Sequence, residues 1–156
     1  MSDLNYLTEE GRLNVRVGAV IQKAGKSLFV WANDGKHWYT LGGRVKFGES
    51  SYEAIKRELS EELGDVAALL SEGRLIAVNE NFFQLGGKAV HELGYYYLFD
   101  GSALPDTLSF HDGDGFLQWL TPEQIKSELL YPLFLKEHMR FPEGSILHFI
   151  IGKTQN

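Results

Sequence analysis

The 156-residue chain contains no cysteine, which excludes a disulfide framework and any thiolate metal site. It also lacks an apolar run of the roughly 20 residues that a membrane-spanning helix needs. Residues 1–15 contain no basic stretch followed by an apolar one, so no signal peptide is predicted. We therefore expect a protein of the cytoplasm that does not enter a membrane.

Internal repeats, low-complexity tracts and Pro/Ser-rich linkers are absent as well, which predicts one domain over residues 1–156. A chain of this length buries roughly 70% of its unfolded surface, enough for a substantial core. The formal net charge of −6 disfavours binding to DNA and other polyanions. A small phosphorylated ligand stays compatible with this charge if a local positive group receives its phosphate.

Alternating apolar residues and turn signals predict a mixed sheet covered by helices. Strands are predicted over residues 13–22, 27–33, 37–43 and 115–120, with a hairpin formed by 74–85 and 89–100. Residues 145–152 are predicted to form a final strand or a buried segment. Helices are predicted over 50–63 and 121–130, and a further helical piece over 133–140.

Residues 50–63 give the clearest helical pattern. Ser50 and Glu53 have the spacing of a capping box, and Gly64 is a natural residue to follow the last turn. Apolar residues recur every four positions, at Ile55, Leu59 and Leu63, and predict one buried stripe.

The same helix carries acids at Glu58, Glu61 and Glu62, close to its C-terminal end. Like charges at this spacing cost roughly 0.2–0.5 kcal/mol per pair, and the helix dipole also disfavours acids there. A solvated acidic face is one explanation for the cluster. A Mg²⁺ or Mn²⁺ ion, which prefers oxygen ligands, is the other, because it would remove the repulsion.

Seven polar or glycine positions, together with Leu59, stand at fixed spacing around these acids. They are Gly43, Glu49, Arg57, Glu58, Glu61, Glu62 and Gly64. In this pattern the segment from Gly43 to Asp65 resembles the Nudix box, the signature of the Nudix hydrolase superfamily. Two positions depart from it: Asp65 stands where an aliphatic residue is expected, with Val66 next, and Leu41 stands where many members have proline.

The resemblance implies an α/β fold, namely the Nudix α/β/α sandwich with a mixed β-sheet flanked by helices. It implies metal-dependent hydrolysis of a nucleoside diphosphate linked to another group. By family role, Glu58, Glu61, Glu62 and the backbone carbonyl of Gly43 are expected to hold Mg²⁺ or Mn²⁺. Arg57 is expected to orient the carboxylates and to pair with Glu49. Glu61 is the first candidate for the general base.

Four residues outside the box are further candidates for substrate binding. Glu80 and Glu92 lie on predicted strands with apolar neighbours, where each is either exposed or directed into the cleft. Arg16 and Arg44 are candidate phosphate contacts, with surface solvation as the alternative for each. The segment 111–115 is similar to the start of a calcium loop but lacks the later glutamate, so it is interpreted as a turn.

The favoured function is hydrolysis of a small nucleotide derivative: a nucleotide, nucleotide sugar, ADP-ribose or dinucleoside polyphosphate. A nucleotide-sensing Nudix domain with weak or no turnover is the alternative, which the complete set of box residues disfavours. Removal of pyrophosphate from RNA 5′ ends is a third hypothesis, disfavoured by the acidic charge. Family precedent allows a homodimer.

Overall fold

The computed structural model describes residues 1–153, which form ten strands and two α-helices. The strands are β1 (Asn5–Leu7), β2 (Arg12–Lys23), β3 (Lys26–Ala32), β4 (His37–Tyr39), β5 (Leu41–Arg44), β6 (Arg74–Leu85), β7 (Lys88–Asp100), β8 (Phe116–Leu120), β9 (Leu130–Tyr131) and β10 (Leu147–Ile151). The helices are α1 (Ser51–Leu63) and α2 (Pro122–Ser127), and 3₁₀ turns span Gly64–Leu69 and Leu133–Lys136.

All ten strands join one mixed sheet. Its main order is β10-β6-β7-β2-β3-β4-β9, while β1 and β5 pair with β2 and β8 pairs with β3. The pairs β2–β7 and β6–β10 are parallel, and β6–β7 and β2–β5 are antiparallel. The mixed sheet predicted from the sequence is confirmed.

A hydrophobic core covers each face of this sheet. On one face, Val17 and Ala19 of β2 pack with Ile55 and Leu59 of α1. Val20, the next residue of β2, points to the opposite face, where the core also contains Ile125 of α2 and Phe134 and Leu135 of the second 3₁₀ turn. Helical segments therefore flank the sheet on both sides, as the predicted sandwich requires. No helix within residues 1–153 is long and apolar enough to cross a membrane.

The β6–β7 hairpin turns at Gly86 and Gly87, whose φ angles are 58° and 78°. A two-residue turn with positive φ at both positions matches the twist of antiparallel strands and favours glycine. The turn fixes the register, so that Asn79 lies opposite Gly94. Nearer the start of β6, a bulge between Leu75 and Ala77 shifts the pairing.

Several predicted boundaries are wrong. The single strand over 37–43 is divided at Thr40, because β4 pairs with β3 whereas β5 pairs with β2. The helix over 121–130 ends at Ser127, since Glu128 is extended and its carboxylate accepts a hydrogen bond from the Trp38 indole. The helical piece over 133–140 is a 3₁₀ turn of four residues, and β1 was not predicted.

Candidate active site

Helix α1 is anchored at both ends by the residues that the sequence indicates. The Glu53 amide donates to the Ser50 hydroxyl at 3.2 Å, and the Ser50 amide donates to the Glu53 carboxylate at 2.7 Å, which completes the capping box. After the helix, Asp65 is exposed and Val66 packs against the α1-side core. Val66 thus occupies the apolar position that the unusual Asp65 leaves unfilled.

Arg57 connects the helix to the loop that precedes it. Its Nε and Nη2 donate to the two oxygens of Glu49 at 2.6 and 3.0 Å, and Nη2 also donates to the Arg44 carbonyl at 3.0 Å. Nη1 donates to Glu58 at 2.8 Å and lies 3.4 Å from Glu61. The hydrogen bond from Arg57 holds the pKa of Glu49 at about 2, so Glu49 stays ionised. This geometry suits the orienting function implied by the resemblance.

Two glycines let the carboxylates of α1 approach the sheet. The Gly42 amide lies 3.2 Å from both oxygens of Glu62 and donates to that carboxylate. A Cβ atom built on Gly43 would lie 2.5 Å from the carboxyl group of Glu58, closer than any real side chain allows. Glycine at position 43 is therefore required by the position of Glu58.

The acids of α1 differ in their surroundings. Glu62 is only 2% exposed, and burial raises its pKa to about 8, reinforced by the nearby charges of Glu58 and Asp112. Burial also raises the pKa of Glu58, against the opposing effect of Arg57. Glu61 is about half exposed, with 49% of its side-chain surface accessible. A cation bound among these acids would stabilise their ionised forms.

The sequence of the chain is also similar to those of known proteins. The model of the NUDIX domain matches residues 12–140. The chain belongs to the Nudix family. The CTP pyrophosphohydrolase of Escherichia coli K12 is 31% identical over 124 residues, which cover 75% of this chain and 80% of that protein. The Nudix family predicted from the box is thus confirmed, and with it an enzyme class that hydrolyses phosphoric anhydride bonds.

Solved structures agree with this assignment. The E. coli ORF135 protein is 27% identical, with a TM-score of 0.53 over 77% of this chain and 81% of that one. The MutT mutator protein from Bacillus halodurans is 16% identical, with a TM-score of 0.61 over 88% of this chain and 89% of that one. The second likeness is one of fold, and it confirms the Nudix architecture.

Nudix enzymes generally use divalent metal ions, which bind to oxygen ligands such as carboxylates. Within residues 1–153, no three His, Asp or Glu side chains converge closely enough to hold an ion in the observed rotamers. The contacts explain this: Glu58 is bound to Arg57, and Glu62 is bound to the Gly42 amide. The chemistry nevertheless fits a hard dication, because the donors are carboxylate oxygens and two of the acids are buried.

The four candidate residues outside the box differ in the face of the sheet on which they lie and in their burial. Arg16 lies on the sheet face opposite α1, and its Nε is buried. Glu92 is on that face too, where its carboxylate accepts a 2.7 Å hydrogen bond from Asn14. Arg44 is exposed, 3.7 Å from Asp3. Glu80 points to the α1 face, where it pairs with His148 at 2.7 Å, so the structure does not bring it to the carboxylates or to Arg16.

Sequence reasoning missed one buried polar residue of this Nudix chain, Asn79. Asn79 is 2% exposed and its Oδ1 has no hydrogen-bond partner within residues 1–153. Tyr96 is buried beside it, and burial raises its pKa to about 12. The available signal was a polar residue directly after the apolar residues Ala77 and Val78 of a predicted strand. Its cross-strand neighbour, Gly94, follows only from the pairing of β6 with β7.

Proposed function

We propose that this chain is a Mg²⁺- or Mn²⁺-dependent hydrolase that cleaves the diphosphate linkage of a small nucleotide derivative. It acts as a single Nudix domain in the cytoplasm. One observation carries the proposal: two buried carboxylates, Glu58 and Glu62, lie directly against the glycine pair that precedes the helix. Burying such acids is costly unless a cation or a proton neutralises them.

The ion would be held by Glu58, Glu61, Glu62 and the carbonyl of Gly43. When bound, it supplies neutralisation of the diphosphate charge and a more acidic water. Arg57 is a positioning residue, because it holds Glu58 through one nitrogen while Glu49 fixes its other two. Exposed Glu61 is the proposed general base, since its carboxylate is open to solvent and to a substrate-bound water.

Similarity to a CTP pyrophosphohydrolase supports nucleoside triphosphates as the first candidate substrates. Nucleotide sugars, ADP-ribose and dinucleoside polyphosphates follow as candidates from the wider family. Arg16 and Arg44, which are neighbours on β2 and β5, support binding of an anionic substrate. DNA is not a proposed partner because the net charge is −6. A homodimer is proposed on family precedent and is tested by light scattering.

The decisive experiment is a panel of nucleoside diphosphate derivatives incubated with Mg²⁺ or Mn²⁺, with the products separated by chromatography. We expect release of phosphate or nucleotide from at least one compound and loss of that activity in chelator. Glu61→Gln and Glu62→Gln should each abolish most of it while circular dichroism stays unchanged. Glu72→Gln, a change at an exposed acid outside the site, is the matched control. No turnover by well-folded protein across the panel would refute the proposal and favour a nucleotide-binding domain.

A further inference from the structure

The N-terminal segment, residues 2–4, runs along the box loop, residues 45–49, which lies between β5 and α1. Two backbone hydrogen bonds of 2.8 Å join the segment to the loop, from the Leu4 amide to the Val45 carbonyl and from the Phe47 amide to the Ser2 carbonyl. Between these two bonds, Asp3 and Lys46 stand opposite each other as an isolated antiparallel bridge. The segment therefore extends the sheet pairing onto the loop that carries Glu49.

Leu4 is the residue that fixes the N-terminal segment to the rest of the sheet. Its carbonyl accepts from the Val15 amide at 2.9 Å, and the Val45 amide donates to the Val15 carbonyl at 3.0 Å. Leu4, Val15 and Val45 thus join three parts of the chain through a closed set of backbone hydrogen bonds. The side chain of Leu4 packs against the α1-side core, in which Val45 is 3% exposed. Because buried backbone groups are almost always paired, displacement of Leu4 would also disturb Val45.

The side chains of the box loop add little to its anchoring. Phe47 is 67% exposed, so it buries little apolar surface. The ion pair between Asp3 and Arg44, 3.7 Å apart with both side chains exposed, contributes little because solvent screens it. The backbone bonds to the N-terminal segment and the packing of Leu4 therefore hold the loop more than its own side chains do.

The position of the box loop determines the position of two side chains that orient a proposed metal ligand. The Lys46 amide donates to Glu49 at 2.9 Å, and Glu49 in turn accepts two hydrogen bonds from Arg57. Arg57 also donates to the Arg44 carbonyl at 3.0 Å and to Glu58 at 2.8 Å. The backbone of Arg44 and of the box loop is therefore the support on which Glu49 and Arg57 are placed, and Arg57 contacts Glu58 directly.

We propose that Leu4 is a positioning residue for the metal site, although it lies outside the Nudix box. It holds the box loop, and through the loop Glu49 and Arg57, in the place from which they orient Glu58. This inference rests on the proposed function. Loss of a group that hydrogen-bonds directly to a metal ligand typically lowers metal affinity roughly 10–100-fold. Because Leu4 acts through the loop and two side chains, we expect a smaller effect, of about fivefold or more.

The first test is Leu4→Gly, which removes the packed side chain and makes the segment more flexible while keeping its amide. We expect the Kd for Mn²⁺, measured by calorimetry, to rise at least about fivefold. Leu7→Gly is the same change at a 53% exposed residue of β1 and should leave the Kd within about twofold. Ile125→Val, in the core on the opposite sheet face, should lower the melting temperature without changing the Kd. Equal Kd values for Leu4→Gly and Leu7→Gly would overturn the inference.

The second test reattaches the segment with a covalent bond. Asp3 and Lys46 form a non-hydrogen-bonded antiparallel pair, in which Cα atoms lie about 4.5 Å apart, within the range that a disulfide spans. Because the chain has no cysteine, Asp3→Cys with Lys46→Cys allows only one intramolecular disulfide.

Oxidation of this cysteine pair in Leu4→Gly should return the Kd for Mn²⁺ to within about twofold of the value for the same oxidised pair with Leu4 present. Reduction should remove the recovery. A disulfide that raises the melting temperature and leaves the Kd of Leu4→Gly unchanged would show that Leu4 has a structural role only. Failure of the two cysteines to crosslink would contradict the contact itself.

The two proposals fail in distinguishable ways. If the wild type and Leu4→Gly bind Mn²⁺ equally well and hydrolyse the same nucleotide equally fast, the positioning role fails although the enzyme assignment stands. If the wild type binds no Mn²⁺ and hydrolyses nothing, the proposed function fails. Hydrogen exchange of the Lys46 amide, which donates to Glu49, then tests the hold on the loop directly. Faster exchange in Leu4→Gly supports that hold, whereas equal exchange refutes it.

Discussion

Glu62 should make the metal-free protein less stable as the pH rises. Its pKa is about 8 in the folded protein, against an ordinary value of 4.5, because it is buried. Between these two values the folded chain keeps a proton that the unfolded chain has released, so the free energy of unfolding falls across this window. At 1.36 kcal/mol per pH unit, the loss from this one group amounts to at most about 5 kcal/mol.

The assay is urea denaturation in chelator at several pH values from 5 to 8, for the wild type, Glu62→Gln and the exposed control Glu72→Gln. The wild type and the control should lose several kcal/mol over this range, whereas Glu62→Gln should lose clearly less and keep only the smaller loss that the raised pKa of Glu58 causes. Saturating Mn²⁺ should restore stability at pH 8, because a bound ion favours the ionised carboxylate. Parallel pH curves for Glu62→Gln and the wild type would refute the reasoning, since they would show that Glu62 is ionised in the folded protein.

Two further predictions concern neighbouring contacts. Gly43→Ala places a Cβ 2.5 Å from the Glu58 carboxyl and should weaken Mn²⁺ binding, measured by calorimetry, at least about tenfold. Adding Glu58→Asp to this variant should restore part of the affinity. Unchanged affinity in Gly43→Ala would show that Glu58 is not a ligand. Arg57→Lys loses the paired bonds to Glu49 and should lower the free energy of unfolding at pH 7 by about 1–3 kcal/mol. Because the pKa of Glu49 is lowered to about 2, its stabilisation is present above pH 4.5 and is lost as the pH falls toward 2. The difference between Arg57→Lys and the wild type should therefore shrink in acid, and a difference that stays constant would contradict the assignment.

Local sequence rules predicted α1 and its surroundings well. The capping box, the four-residue apolar spacing and Gly64 together define a helix that begins at Ser51 and ends at Leu63. The β6–β7 hairpin was predicted equally well, because two glycines stand between two segments in which apolar and polar residues alternate. In both cases the signal lies within a few residues of the feature it determines. The contact of Arg57 with Glu49 belongs to the same class, as both residues lie within the box.

The errors occur where distant parts of the chain decide the structure. β1 is three residues long and exists because it pairs with β2, while Thr40 separates two strands that pair with different neighbours. The burial of Asn79 was not predicted for the same reason, because its position in the sheet depends on the pairing of β6 with β7 and of β7 with β2. The charge of Glu80 made it a candidate, but the register of β6 directs it to the α1 face, where it pairs with His148.

The two-glycine turn at Gly86 and Gly87 has an effect far from its own position. It lies about 23 Å along β6 from Asn79, yet its length sets which side chains of β6 point to the face opposite α1. An insertion of one residue at the tip that slipped the strand by one position would turn Asn79 inward to the α1 face and present Glu80 instead. A carboxylate would then replace an amide on that face without any mutation among the residues of the face itself. The length of one distant turn thus decides which polar group the sheet buries at this position.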